Sequence, residues 1–174
     1  MIIGEYMSKF RPNLYYKSIF DINYDKLKNM NIKVLIFDLD NTIITVDKDI
    51  PNDDVVNLFK KVNKDFKVFI ASNNLKERVR KIGNYLDVHA FYSVSKPSKK
   101  IKKLLQNKYD VEMNEVAIIG DQIMTDIFMG NRLGAKTILV DPLGEKDLKI
   151  TFFNRTMEKL VLKKIKLKRG EYYE

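Results

Sequence analysis

The chain has 174 residues, 45% of them apolar, and its 32 Lys+Arg against 23 Asp+Glu give a formal charge of +9; one domain of about 100 to 200 residues accounts for that length, and the composition excludes a disordered or fibrous chain. The absence of cysteine and the lone His89 exclude a disulfide framework, a thiolate metal site, a cysteine nucleophile and a histidine cluster, so any metal needs oxygen ligands, which favours magnesium or calcium. The basic excess points to an anionic partner, with nucleic acid, an anionic membrane surface and phosphorylated substrates all open.

In chain order, residues 1–6 lack the basic, apolar and small-residue regions of a secretory signal, so a cytoplasmic location is expected. Residues 1–30 are rich in tyrosine and lysine, and Pro12 and Asn13 break any helix; an irregular arm is expected there. Short β-branched runs then recur at Lys33–Asp38, Lys67–Ala71, His89–Tyr92, Val116–Gly120 and Lys136–Val140, with helical segments between them. That alternation is the pattern of a parallel sheet with crossover helices, and apolar residues at consecutive positions read as strands buried on both faces.

Asn52 or Asp53 caps a helix through about Asn63, with Val55, Val56, Phe59 and Val62 inward. Leu75, Val79, Ile82 and Leu86 stripe a second helix, whose end alone is weakened by Gly83. Ser98 caps a third, with Ile101, Leu104 and Leu105 inward and Lys99, Lys100, Lys102 and Lys103 in solvent; Thr125 caps a fourth that stops at Gly134. His89 reads as a packing or loop residue. The expectation is an α/β fold with a central five-stranded parallel sheet in one domain, 1–174, made of a core at about 33–140, the arm 1–30 and a basic tail 145–174.

Within that tail Lys159, Lys163, Lys164, Lys166, Lys168 and Arg169 interleave with Leu160, Val161, Leu162, Ile165 and Leu167. Two readings stand: a basic amphipathic segment attracted to anionic lipid headgroups, or a terminal helix or strand with its apolar side on the core and its lysines in water. No apolar run approaches the roughly 20 residues needed to cross a bilayer.

In an open parallel sheet, ligands bind at the carboxyl ends of strands. The first run ends in Asp38-Leu39-Asp40-Asn41-Thr42, the second in Ser72-Asn73-Asn74, the third in Ser95-Lys96-Pro97 and the fourth in Gly120-Asp121, with Asp126 following. Asp38 and Asp121, expected on adjacent central strands, bring two carboxylates to one edge, where repulsion is costly unless a cation sits between them. Magnesium suits carboxylates combined with phosphate oxygens, and the Ser72 hydroxyl and Lys96 ammonium converge as phosphate donors. Asn73 and Asn74 assist substrate binding or, preferably, cap the next helix; Asp126 reads as a metal ligand or a helix cap.

Taken together, Asp38-Leu39-Asp40-Asn41-Thr42, Ser72, Lys96 and Gly120-Asp121 to Asp126 resemble, in order, the four motifs of the haloacid dehalogenase (HAD) phosphatase superfamily. The resemblance implies a Rossmann-like three-layer sandwich with Asp38 as the nucleophile that forms an aspartyl-phosphate and Asp40 as general acid and then base. It implies magnesium held by Asp38, the backbone carbonyl of Asp40 and Asp121, with Asp126 as a direct ligand or an orienting neighbour. Ser72, Lys96 and the backbone amides after Asp38, starting at Leu39, would neutralise the phosphoryl oxygens, and Thr42 would buttress the loop.

Only one helix and one strand fit between Thr42 and Ser72, and again between Ser72 and Lys96, so no cap domain is expected. An open site suits a phosphate presented on something large. The segments Phe10 to Ile19, Gly120 to Asp126, Gly130 to Gly134 and Phe153-Asn154-Arg155 look like the capless subfamily III proteins of the YqeG type, which are similar to mitochondrial phosphatidylglycerophosphate phosphatases. That resemblance implies hydrolysis of phosphatidylglycerophosphate, with an anionic phospholipid as partner, peripheral membrane contact at the inner face and no nucleic-acid partner. Two alternatives stay open: a phosphatase for soluble sugar phosphates, nucleotides or nucleic-acid ends, and a non-catalytic RNA- or membrane-binding protein.

Overall fold

The computed structural model of the chain describes residues 6–98, 100–144 and 149–174, and of residues 100 and 149–156 the backbone alone. Its elements are β1 (Leu14–Tyr16), α1 (Tyr24–Asn29), β2 (Val34–Phe37), α2 (Asp53–Val62), β3 (Lys67–Ala71), α3 (Lys76–Tyr85), β4 (His89–Phe91) and α4 (Lys100–Tyr109). A 3₁₀ turn (Met113–Glu115), β5 (Val116–Gly120), a π turn (Ile123–Ile127), α5 (Phe128–Leu133), β6 (Lys136–Val140) and α6 (Lys149–Ile165) follow. All strand pairs are parallel, in the order β1-β6-β5-β2-β3-β4.

Successive side chains of a strand face opposite ways, and in β2 both faces are covered. Leu35 and Phe37 join Leu27 of α1, Val55, Phe59 and Val62 of α2, and Val79 and Ile82 of α3 in one apolar layer. Val34 and Ile36 join Ile101 and Leu105 of α4 and Met129 and Leu133 of α5 on the other. This is the expected three-layer sandwich, and it explains why the strands read as unbroken apolar runs. Among the described residues no helix is long and apolar enough to cross a membrane.

The sheet has six strands where five were expected. The sixth is β1, supplied by the arm expected to be irregular: Leu14, Tyr15 and Tyr16 pair in register with Ile138, Leu139 and Val140 and are buried. Asn13 fixes this edge from outside the strand, since its N–H donates to Thr137 O at 3.0 Å and its Oδ1 accepts from Thr137 N at 2.8 Å. The outer edge of β1 is closed by the chain end, where Tyr15 and Tyr173 exchange backbone hydrogen bonds of 2.8 and 2.9 Å. A covered edge cannot recruit a foreign strand.

The tail resolves its two readings in favour of packing. Val161, Ile165 and Leu167 are buried against Tyr15, Ile123, Ile127 and Leu139, while Lys159, Lys163, Lys164, Lys166 and Lys168 stay exposed. Arg169 is no surface charge: it pairs with the buried Glu158.

Helix α2 starts as expected, with Asn52 Oδ1 accepting from Val55 N at 3.1 Å, and Gly134 ends α5 in the left-handed conformation that favours glycine. Three expectations on the helices need correction. Leu75 is the N-cap of α3 and 76% exposed, so only Val79, Ile82 and Leu86 form the buried stripe. Leu104 is exposed on α4, with Ile101 and Leu105 inward. Thr125 lies inside the π turn rather than capping a helix. Lys103 is exposed and Lys102 half-buried, His89 is exposed on the edge strand β4, and Lys99, the side chain of Lys100 and those of Phe153, Asn154 and Arg155 lie outside the described residues.

Candidate active site

Phe37 is level with Ile70 on β3 and with Ile119 on β5, so the chain leaves the sheet at one height on three adjacent strands. Asp38, Ser72 and Asp121 therefore meet at the carboxyl edge, and the crossover from β2 runs to β3 while β5 lies on its other side. That divergence opens the crevice in which ligands bind to such sheets. Asp38, Thr42, Ser72, Lys96, Asp121 and Asp126 are all buried polar residues. After Asp38 the chain turns sharply: Asn41 adopts a left-handed conformation (φ 62°), its N–H donates to Ile44 O at 2.8 Å, and Ile43 N donates to Leu39 O at 3.0 Å. Asparagine tolerates this region better than most residues. The turn buries Leu39, Ile43 and Ile44 beneath the site, so Leu39 can offer a phosphate only its backbone.

Lys96 Nζ donates to Asp38 Oδ1 and, at 2.7 Å, to Asp126 Oδ1. One oxygen from each of Asp38, Asp121 and Asp126 lies within 4.8 Å of the others, and Thr42 Oγ1 donates to Asp121 Oδ1 at 3.3 Å. Burial pushes the Asp38 carboxyl well above the usual carboxylate range, the Lys96 ammonium opposes this, and the Asp126 and Asp121 carboxylates reinforce it. Burial by itself would lower the Lys96 ammonium, but Asp126 and Asp38 outweigh it and hold the lysine charged. Three buried carboxylates facing one ammonium leave a strongly negative hollow.

Asp126 reaches this hollow because of two local features. The π turn lets Asp126 N and Ile127 N both donate to Gln122 O, at 3.0 and 3.3 Å, while Asp126 Oδ2 accepts from Gln122 N at 3.3 Å. Such turns concentrate at functional sites. Gly120 supplies the room: a Cβ there would lie 2.3 Å from Asp126 Oδ2 and 2.6 Å from its Cβ.

The remaining expected residues fall differently. Asp40 stands apart from the carboxylate cluster, with Arg78 Nε and Nη2 donating to its Oδ1 at 3.1 and 3.0 Å and Asn74 Nδ2 to its Oδ2 at 3.0 Å. Neither asparagine caps α3. Asn73 brackets the backbone of Lys96, accepting from its N–H at 2.7 Å and donating to its carbonyl at 3.3 Å, so it holds the lysine in place rather than offering its amide to a phosphate. Asn74 N donates to Ser72 Oγ at 3.0 Å, which sets the hydroxyl beside the start of α3. Thr42, expected to buttress its own loop, directs its hydroxyl to Asp121 at the end of β5.

Two arginines and a glutamate were missed. Arg78 lies in the first turn of α3, at the helix end that faces the carboxyl edge, and a basic residue there was the available signal. Arg169 and Glu158 grip the ends of β5 and β6 from the tail: Arg169 Nη2 donates to Asp121 O at 2.7 Å, Arg169 Nη1 to Val140 O at 3.0 Å, and Glu158 accepts from Ile123 N at 3.4 Å. No local pattern signals contacts that span so much chain.

The chain is 36% identical to the probable phosphatase YqeG of Bacillus subtilis (strain 168) over 160 residues, 91% of this chain and 93% of that one. It belongs to the YqeG family of HAD-like phosphatases. The HAD-hydrolase-like family model matches residues 93–147, the stretch that carries Lys96, Asp121 and Asp126. Solved structures repeat the fold of this YqeG-family chain at low identity. An uncharacterized protein from Listeria monocytogenes serotype 4b is 19% identical, with 76% of this chain and 99% of that chain covered and a TM-score of 0.54. The 3-deoxy-D-manno-octulosonate 8-phosphate phosphatase of Yersinia pestis is 18% identical, with 79% and 85% covered and a TM-score of 0.50. The YqeG match also spans most of the arm and tail, from which β1 joins the sheet and the last helix packs against it.

Proposed function

We propose that this YqeG-family protein is a magnesium-dependent phosphomonoesterase that acts through an aspartyl-phosphate on Asp38 and converts phosphatidylglycerophosphate to phosphatidylglycerol at the inner face of the membrane. The observation that carries the chemistry is the buried contact of Lys96 with both Asp38 and Asp126, beside Asp121, at the carboxyl edge. An all-oxygen hollow with three carboxylates against one ammonium fits magnesium, with Asp38, Asp121, Asp126 and the backbone carbonyl of Asp40 as its holders. Magnesium bound there supplies neutralising charge for the phosphoryl oxygens.

Asp38 attacks phosphorus and the bond to the leaving oxygen breaks as that oxygen takes a proton from Asp40. Asp40 then takes a proton from water, whose oxygen displaces Asp38 and releases phosphate. Lys96, Ser72 and the Leu39 amide hold the equatorial oxygens, and Lys96 keeps the Asp38 carboxylate oriented between turnovers.

The lipid substrate is supported by the openness of the site and by its rim. One helix separates β2 from β3 and one separates β3 from β4, with no inserted domain among the described residues. Phe20, Ile50, Leu75 and Leu143, all exposed, lie on loops at the carboxyl edge, among the exposed Lys17, Lys48 and Lys76 and the acidic Asp47 and Asp49. Apolar side chains interspersed with lysines suit contact with an anionic headgroup layer.

The test is phosphate release from phosphatidylglycerophosphate in mixed micelles, set against glycerol 1-phosphate and a sugar phosphate, with and without magnesium. Faster turnover of the lipid supports the reading. Preference for a soluble ester would move the substrate to that class, and metal-independent or absent release would overturn the enzyme assignment.

A further inference from the structure

The Asp40 carboxyl makes its side-chain contacts with Arg78 of α3 and with Asn74 just ahead of that helix, outside the carboxylate cluster. Arg78 places two N–H groups on Oδ1, and its other contacts run to the loop after Asp40, Nη1 to Lys48 O at 2.7 Å and to the exposed Asp49 carboxylate at 3.6 Å, and Nη2 to Thr45 O at 3.2 Å. The guanidinium is thus held by this loop as well as by the acid. Its side chain is only 17% exposed, and its two N–H groups converge on one oxygen, so Oδ1 is pinned by the guanidinium and the orientation of the carboxyl is completed by the contact on Oδ2. Asn74 holds the second oxygen through a neutral amide, and the same residue's N–H rests on Ser72 Oγ. Asn74, two residues before α3, therefore connects the acid to the phosphate-site hydroxyl.

We propose that Arg78, assisted by Asn74, is the positioning residue for the general acid and base Asp40. Arg78 pins Oδ1, leaves Oδ2 on the softer amide contact as the oxygen that exchanges the proton, and fixes the carboxyl relative to Asp38. This rests on the phosphomonoesterase reading and extends it to a residue that touches neither phosphate nor metal.

A positioning role separates from a structural one by leaving group. An alkyl phosphate needs a proton delivered to its departing oxygen, whereas p-nitrophenyl phosphate releases a stabilised phenolate and needs little help. With magnesium, Arg78→Ala is expected to lower kcat about 10- to 100-fold on phosphatidylglycerophosphate in mixed micelles, an alkyl ester, and about threefold or less on p-nitrophenyl phosphate, with KM little changed. Arg78→Lys, which keeps the charge but loses the fork, should fall between, and Asn74→Ala should show the same split at smaller size. In an Asp40→Asn background, Arg78→Ala should add nothing further on the alkyl ester.

Equal losses on the two esters in a folded variant would overturn the inference, because a loop that had merely slackened penalises both. Should Arg78→Ala fail to fold, Arg78→Lys and Asn74→Ala carry the same comparison and the same two outcomes. Wild-type protein that hydrolyses neither ester overturns the phosphatase reading, and this inference with it; an active wild type with an unsplit loss overturns the inference alone.

Discussion

Arg169, five residues from the chain end, donates from Nη2 to the backbone carbonyl of Asp121 across 2.7 Å and 48 residues of sequence. The same guanidinium pairs with the buried Glu158, whose carboxylate accepts from Ile123 N on the far side of Gln122. The loop that carries Asp121 is thereby clasped from both ends by the tail.

Removing this clasp should destabilise the fold. Arg169→Ala deprives a buried carboxylate of its guanidinium, a change that costs on the order of 3 kcal/mol. For a chain of this size that lowers Tm by about 6 to 12 °C. Thermal unfolding measures it directly, and a Tm within about 2 °C of wild type would show the clasp to be idle.

Asp38→Asn should abolish phosphate release, because an amide cannot form the acyl phosphate, while circular dichroism stays that of the folded protein. Measurable steady-state turnover by a purified Asp38→Asn variant would remove Asp38 from the mechanism.

The metal expectation has a readout independent of activity. Magnesium bound to the folded state alone raises Tm with the logarithm of its concentration, by about 2.7 kcal/mol of stability at 100 times Kd. Chelation should return Tm to its starting value, and Asp121→Asn should blunt the response. A Tm indifferent to magnesium in the wild type would place the ion elsewhere or nowhere.

Gly120→Ala tests the room left for Asp126. The added Cβ meets the Asp126 carboxyl carbon at 2.4 Å and its Cβ at 2.6 Å, too close for a terminal rotation to relieve. Asp126 must withdraw, and magnesium affinity should fall about 10- to 100-fold, the loss typical when the support of a metal ligand is disturbed. Calorimetric titration of magnesium into the variant decides this.

At high pH the tail should loosen. Tyr172 Oη donates to Asp141 Oδ2 at 2.6 Å, and this bond raises the phenol from its ordinary value of 10.0 to about 12. The folded state favours the protonated phenol, so the contribution is complete below pH 10 and is lost as pH rises from about 10 towards 12. Tyr15, Tyr16, Tyr24 and Tyr173 are also raised, so a phenolate absorbance titration should show several late-titrating tyrosines, with one fewer in Tyr172→Phe; a late phase of unchanged size would contradict the bond.

Much of this was legible in the sequence because strands buried on both faces announce themselves as apolar runs and drop their functional residues just past the end. Asp38, Ser72, Lys96 and Asp121 were found that way, and the register then brought Asp38 and Asp121 onto adjacent strands as expected. Strand β1 was missed because three residues carry no periodicity and because what holds them, Thr137 and Tyr173, lies far along the chain. Gly83 looked like a weak point in α3; instead it admits β4, since a Cβ there would lie 2.6 Å from Ala90 Cβ. Arg78, Arg169 and Glu158 escaped, and Asn73 was expected in another role, for a shared reason: each grips another segment's backbone or carboxylate, and such grips depend on how elements lie together rather than on local pattern.

The pairing of β1 with β6 has a consequence for biosynthesis. Asn13 and Thr137, which frame that pairing, are separated by 124 residues, and at about 5 to 20 residues per second the interval between them is about 6 to 25 seconds of translation. Throughout it the tyrosines of β1 have no sheet to join, and the edge they will cover does not yet exist. The emerging chain therefore carries an unpaired apolar segment until β6 is made, and of the strands in this sheet the first one made waits longest for its partner.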